Sequence, residues 1–143
     1  MTREETKELP FKDLCARLPY GVIVETPKGK GHVCDINLTI FGYEFGVNVN
    51  PTIRDNFSIS YVKPYLFPLS SMSREQLFEV QEILGKNEIE IEDGFLSIIN
   101  SDRNTITYLE ILAVLEWFYK NHFDYRNLIQ MNLAIDATGL NIY

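Results

Sequence analysis

Between residues 34 and 61 the chain alternates apolar and polar side chains with a period of two. No other pattern restricts its fold as much. Cys34, Ile36, Leu38 and Ile40 share one face, with Asp35, Asn37 and Thr39 on the other. Tyr43, Phe45, Val47 and Val49 repeat the pattern, and so do Phe57, Ile59 and Tyr61. Successive strand residues point to opposite faces, so each run reads as a strand with one buried side. Together with residues 22–26 they predict an antiparallel sheet of about four strands over residues 22–62. Such a sheet needs cover on its apolar face. Gly42 and Gly46 are candidate bulge positions.

The cover is expected from helices. Phe11, Leu14, Cys15 and Leu18 recur at helical spacing and predict a helix over 11–18 that stops at Pro19, with residues 1–9 frayed. Ser73-Arg-Glu-Gln76 has the form of a capping box and opens a helix over 73–84, with Gly85 as its stop. A third helix is predicted over 106–121, with N-caps offered by residues 102–105. Tyr108, Ile111, Leu112, Leu115, Phe118 and Tyr119 form its expected buried face, and Ala113, Val114 and Trp117 its other side. A helix this apolar is either covered on both sides or makes an oligomer contact. Asp93-Gly94 between two short apolar runs suits a type I′ hairpin. Residues 61–73 contain Pro64 and Pro68, which lack N–H donors, so this segment is expected as a strap and not a central strand. Tyr65 and Phe67 should then be at least half buried. Residues 123–136 read as a short helix followed by an irregular tail. The expected fold is α+β, one domain over residues 1–143.

The net charge of −7, from 20 acidic and 13 basic residues, argues against direct contact with nucleic acid or an anionic membrane. No apolar run reaches the ~20 residues of a membrane span, and the first residues lack the apolar core of a signal peptide. Cys15 and Cys34 fall at expected core positions, which suits reduced thiols in a cytoplasmic protein. His32 and His122 are the only histidines, and no metal-ligand spacing occurs, so neither a metal nor a cofactor is expected. No nucleophile motif is present, and Ser70, Ser71 and Ser73 read as turn and cap residues. No catalytic residue is singled out, and the chain is read as non-enzymatic. Two surfaces remain as candidates. Lys28-Gly-Lys-Gly-His32 offers Lys28, Lys30 and His32 for an anion or small ligand, against the plainer reading of a hairpin loop. Trp117, Tyr65, Tyr125 and Arg126 offer the residue types that anchor protein interfaces, unless the strap and tail simply cover Trp117.

Three blocks span the chain: Asp13-Leu-Cys-Ala-Arg-Leu-Pro-Tyr-Gly-Val22, Lys63-Pro-Tyr-Leu-Phe-Pro-Leu-Ser-Ser-Met72, and His122-Phe-Asp-Tyr-Arg-Asn-Leu-Ile129 with Leu133-Ala-Ile-Asp-Ala137. In these it resembles a family of small uncharacterised proteins of Bacteroides-group gut bacteria and their phages and mobile elements. The resemblance implies no activity, cofactor or catalytic residue. The resulting expectation is a cytoplasmic accessory or regulatory protein of a phage or mobile element, acting by protein–protein binding to a partner or to itself. The alternatives are a nucleotide-binding or sequestering counter-defence protein, or an enzyme of unassigned reaction.

Overall fold

The alternating stretch forms the expected meander as far as Ser58, but Ile59–Tyr61 is a 3-10 turn with Tyr61 exposed, and Ile40 and Tyr43 lie outside the described residues. The computed structural model describes residues 3–38, 45–50, 55–85, 88–100 and 106–143. Strands β1 (Ile23–Thr26), β2 (Gly29–Leu38), β3 (Phe45–Asn50) and β4 (Asp55–Ser58) pair antiparallel in sequence order. The β1–β2 connection is a two-residue turn, Pro27-Lys28. Thr26 Oγ1 pins it, donating to Gly29 O at 2.8 Å and accepting from Lys28 N at 3.2 Å. A register shift between Val33 and Asp35 makes Cys34 a bulge residue. Gly46 pairs regularly with Asn37 and Ser58, and Gly42 lies outside the described residues. The bulge resets the inward phase, so Val33 is buried whereas Cys34 is exposed. Cys15 is exposed as well, which corrects the core placement of both cysteines, and neither is in a disulfide.

The proline-containing strap is a strand inside the sheet, β5 (Lys63–Pro68), contrary to expectation. Among the described residues the sheet has seven strands rather than about four. β5 pairs antiparallel with β1 and parallel with two later two-residue strands, residues 123–124 and 135–136. The peptide joining Leu66 and Phe67 explains how the prolines fit. Its carbonyl accepts from Ala137 N at 2.8 Å and its N–H donates to His122 O at 2.8 Å, so the two parallel strands lie on opposite edges of β5. By strand alternation the nitrogens of Pro64 and Pro68 face the Ala137 edge, where pairing involves only Tyr65 and Leu66. The missing donors therefore fall where no ladder bond is required. Tyr65 is buried and Phe67 half-buried, as expected.

Helix α1 (Arg3–Arg17) starts well before residue 11, so residues 3–9 are helical rather than frayed. Its buried stripe is Pro10, Asp13, Leu14 and Arg17, at i, i+3, i+4 and i+7. This face therefore carries a charged pair instead of Cys15. Helix α2 (Arg74–Ile83) has the predicted capping box: Gln76 N donates to Ser73 Oγ at 3.2 Å, and Ser73 N to Gln76 Oε1 at 2.9 Å. Helix α3 (Tyr108–Lys120) has a second one, between Thr107 and Glu110. The cap expected at 102–105 falls outside the described residues except that Thr107, two positions on, performs it.

Strands β6 (Glu88–Glu92) and β7 (Phe95–Asn100) form a separate hairpin. Asp93 (φ 51°) and Gly94 (φ 81°) both take the positive φ of a type I′ turn. Strands β8 (Phe123–Asp124) and β9 (Ile135–Asp136) replace the helix predicted over 123–136. Positive φ at His122, Asn127 and Asn132 interrupts any helix there. Two apolar clusters result. Leu14, Val22, Val24, Val33, Leu66 and Leu128 join α1 to the sheet. Leu69, Val80, Ile89, Val114, Phe118 and Phe123 join α2, α3 and the β6–β7 hairpin.

Candidate functional site

The titratable residues of the first and third blocks meet in a buried charge cluster. Asp13 and Arg17 are fully buried on α1, with Arg17 Nε 2.7 Å from Asp13 Oδ2. Arg17 Nη2 donates to Phe123 O at 2.6 Å, which ties α1 to β8. Arg126 Nε lies 3.4 Å from Asp13 Oδ1. The Asp124 carboxylate accepts from Leu128 N and Ile129 N, both at 2.9 Å, and so closes the turn after β8. Burial raises the Asp124 pKa, and these two N–H groups oppose the shift. Beside the cluster, the His122 ring stacks on Tyr143 at 3.6 Å. Burial and the charge of Arg17 lower the His122 pKa to about 4, so its imidazole is neutral at physiological pH. Two carboxylates and two guanidinium groups held this way act as a tether between the two ends of the chain.

One of the four residues expected at an interface, Arg126, belongs to that tether. The Arg126 guanidinium lies over the Tyr125 ring, 4.9 Å from its centroid. Tyr125 stacks on Phe118 at 5.7 Å, and its hydroxyl is 2.8 Å from that of Tyr119. Trp117 stacks on Phe123 at 5.5 Å and donates Nε1–H to Glu79 Oε2 at 2.9 Å. Tyr65 is only 5% exposed and donates its hydroxyl to Glu25 Oε2 at 2.7 Å. Burial, then the Glu25 carboxylate, pushes the Tyr65 pKa up to about 12. Trp117, Tyr65, Tyr125 and Arg126 are thus engaged in packing and do not gather on an open face.

The open apolar surface lies elsewhere on α3. Tyr108 is 72% exposed and Leu109 76%, with Ile111 and Leu112 also exposed. At 100° per residue Tyr108, Leu109, Leu112 and Glu116 share one arc, whereas Ile111 lies on the same side as the buried Val114 and Phe118 and is exposed all the same. The expected buried face is therefore wrong for the first two turns. Val114 and Trp117, expected on the wet side, pack inward instead. Of α3 only Val114, Leu115, Trp117 and Phe118 join the cluster built with Phe123 and α2; none of residues 108–113 does, although Ile106 just before the helix packs on it. On α2, Phe78 is 60% exposed and lines a groove of about 580 Å³ with Arg74, Glu75, Leu77, Glu79 and Gln81.

Of the candidate anion-binding residues, Lys30 and His32 are not in a loop. They are strand residues of β2 and line a pocket of about 400 Å³. Lys28 lies in the hairpin turn and is not among the residues that line it. Their backbone is paired in the sheet, with Gly31 opposite Val24, so no glycine loop cradles an anion here. Among the described residues no group of three or more His, Cys, Asp or Glu side chains is placed to hold a metal ion. No described helix is long and apolar enough to cross a membrane. Comparison with protein-family models, with curated proteins and with solved structures finds no match.

Proposed function

We propose that the protein acts by binding another protein through the first two turns of α3. The carrying observation is the exposure of Tyr108, Leu109, Ile111 and Leu112 in the first turns of a helix whose second half packs inward through Val114 and Phe118. The patch is on the order of 400 Å², within the range in which exposed apolar surface marks interaction sites. Half of a standard interface is about 800 Å² per partner, so the patch would form its apolar centre. The capping box at Thr107 holds this end of the helix in shape before any partner arrives, which lowers the ordering cost of binding.

Charge favours a partner other than a second copy. Glu116 lies on the same arc, α2 presents exposed Glu75, Glu79 and Glu82, and the chain carries a net −7. A second copy would bring like charge to this rim, whereas a partner with an apolar ridge and basic flanks would meet opposite charge. The resemblance of the three blocks to proteins of Bacteroides-group phages and mobile elements supports an accessory or regulatory role in the cytoplasm of such a host. In this reading the protein is not a catalyst. Capture of the tagged protein's partners from its host, compared between wild type and Leu109→Asp, tests the proposal. The partner should be lost with Leu109→Asp while the thermal midpoint stays unchanged. An unchanged set of captured proteins would refute it.

A further inference from the structure

A second site lies on the opposite half of the molecule. The β1–β2 register pairs Ile23 with His32 and Glu25 with Lys30, which puts these four side chains on one face of the hairpin. The other face, with Val22, Val24 and Val33, is core. Because the turn is two residues long and pinned by Thr26, Lys30 and His32 are positioned by strand register and not by a flexible loop. Residues 140–142 then fold over this face. They are anchored by Tyr143, whose hydroxyl accepts from Ile23 N at 3.1 Å and donates to Tyr65 O at 2.7 Å. That hydroxyl fills the gap in the ladder where β1 ends and β8 begins beside β5. The tail and hairpin together border an open pocket of about 400 Å³, lined by Ile23, Lys30, Gly31, His32 and residues 140–142.

The lining has a consistent chemistry. It contains an ammonium, an imidazole and the Asn141 carboxamide, set against Ile23, Leu140 and Ile142, with no acidic side chain. Glu25, the acid opposite Lys30 in the register, already accepts the Tyr65 hydroxyl. The Lys30 ammonium lies 5.4 Å from the centre of the Tyr65 ring. Among the described residues it makes no ion pair. A cation held over an aromatic ring without a salt bridge, beside apolar walls, is a receptor for a charged head with an apolar body. We propose that this pocket binds a small organic oxyanion, a phosphate or carboxylate carried on an apolar group. Lys30 takes the charge, His32 and Asn141 hydrogen-bond the oxygens, and Ile23, Leu140 and Ile142 hold the body. The site is independent of the α3 surface, and the two readings stand or fall separately.

Titrating the isotope-labelled full chain with phenyl phosphate tests this through the amide resonances of Gly31, His32, Asn141 and Ile142. Saturable shifts at these amides are expected by roughly 10 mM, where even a millimolar site fills. Lys30→Met should weaken binding about tenfold or more, roughly 1.4 kcal/mol, whereas Lys30→Arg should nearly retain it. Leu140→Asp should also weaken it, and inorganic phosphate, lacking the apolar body, should bind less tightly than phenyl phosphate. Lys30 and Leu140 are exposed, so the variants should keep the wild-type thermal midpoint. The proposal is overturned if no saturable shift occurs at these amides. It is equally overturned if Lys30→Met binds like wild type, or if inorganic phosphate binds as tightly as phenyl phosphate.

Discussion

Replacing Arg17 by methionine removes the centre of the buried tether while preserving most of its volume. Two hydrogen bonds vanish: Nε to Asp13 Oδ2 at 2.7 Å, and Nη2 to Phe123 O at 2.6 Å. What remains is a fully buried carboxylate whose nearest cation, Arg126, is 3.4 Å away and partly exposed. Breaking one partner out of a buried ion pair costs about 3–5 kcal/mol, mostly for the uncompensated charge. Arg126 can move closer and recover some of this, so the lower end, about 3 kcal/mol, is expected for Arg17→Met. Against a typical total of roughly 5–15 kcal/mol, that is a large fraction of the stability. Urea unfolding followed by circular dichroism should show the midpoint falling by roughly 1–3 M, given an m-value near 1–3 kcal/mol/M. The double variant Asp13→Leu with Arg17→Met should recover part of the loss, because it also removes the stranded charge. A loss under about 1 kcal/mol for Arg17→Met would be the value of a solvent-exposed pair and would refute the tether.

Three further outcomes follow from the described geometry. Gly94→Ala should cost about 1–2 kcal/mol in thermal or urea unfolding, since φ is 81° and the new Cβ would sit 2.8 Å from Asn127 Oδ1. Tyr143→Phe should cost roughly 1–2 kcal/mol by leaving Ile23 N and Tyr65 O without the hydroxyl that bridges them, and should speed amide exchange at Ile23. The folded His122 pKa of about 4 lies below its unfolded value, so its neutral form is the one the fold favours. That contribution is complete above about pH 6.5 and is lost as pH falls to about 4. Discounted for partial exposure, it amounts to roughly 1–2 kcal/mol. Asp124, whose pKa is raised on folding, contributes with the opposite sign and offsets part of the acid loss. His122→Asn should flatten the stability profile across that window, and an unchanged slope would count against the buried neutral imidazole.

The α+β fold was legible in the sequence because its strongest signals are local. Period-two runs, a capping box at Ser73 and an Asp-Gly turn each determine a few neighbouring residues. The misreadings came where a distant partner decides. Pro64 and Pro68 forbid a ladder donor on one edge only, and which edge needs donors depends on β8 and β9, some 60 residues away. Cys34 lost its core position to one bulged residue. Asp13 and Arg17 were not singled out, although their i,i+4 spacing on the same stripe as Leu14 was a readable sign of a buried pair. On α3 the helical wheel identified an excess of apolar residues correctly. It could not say which half of the helix the core reaches. Of the candidate ligand residues, Lys30 and His32 were legible as a basic pair, but the pocket needed the tail, 110 positions later in the chain, to close it.

The central claim is that the first two turns of α3 are a protein-binding surface. Hydrogen–deuterium exchange of the protein, alone and with the partner captured from its host, reads it directly. The account predicts that slowed exchange on complex formation concentrates on residues 108–116, and that Leu109→Asp abolishes both the complex and the protection without changing the thermal midpoint. Protection confined to other surfaces, with residues 108–116 exchanging as in the free protein, would contradict it.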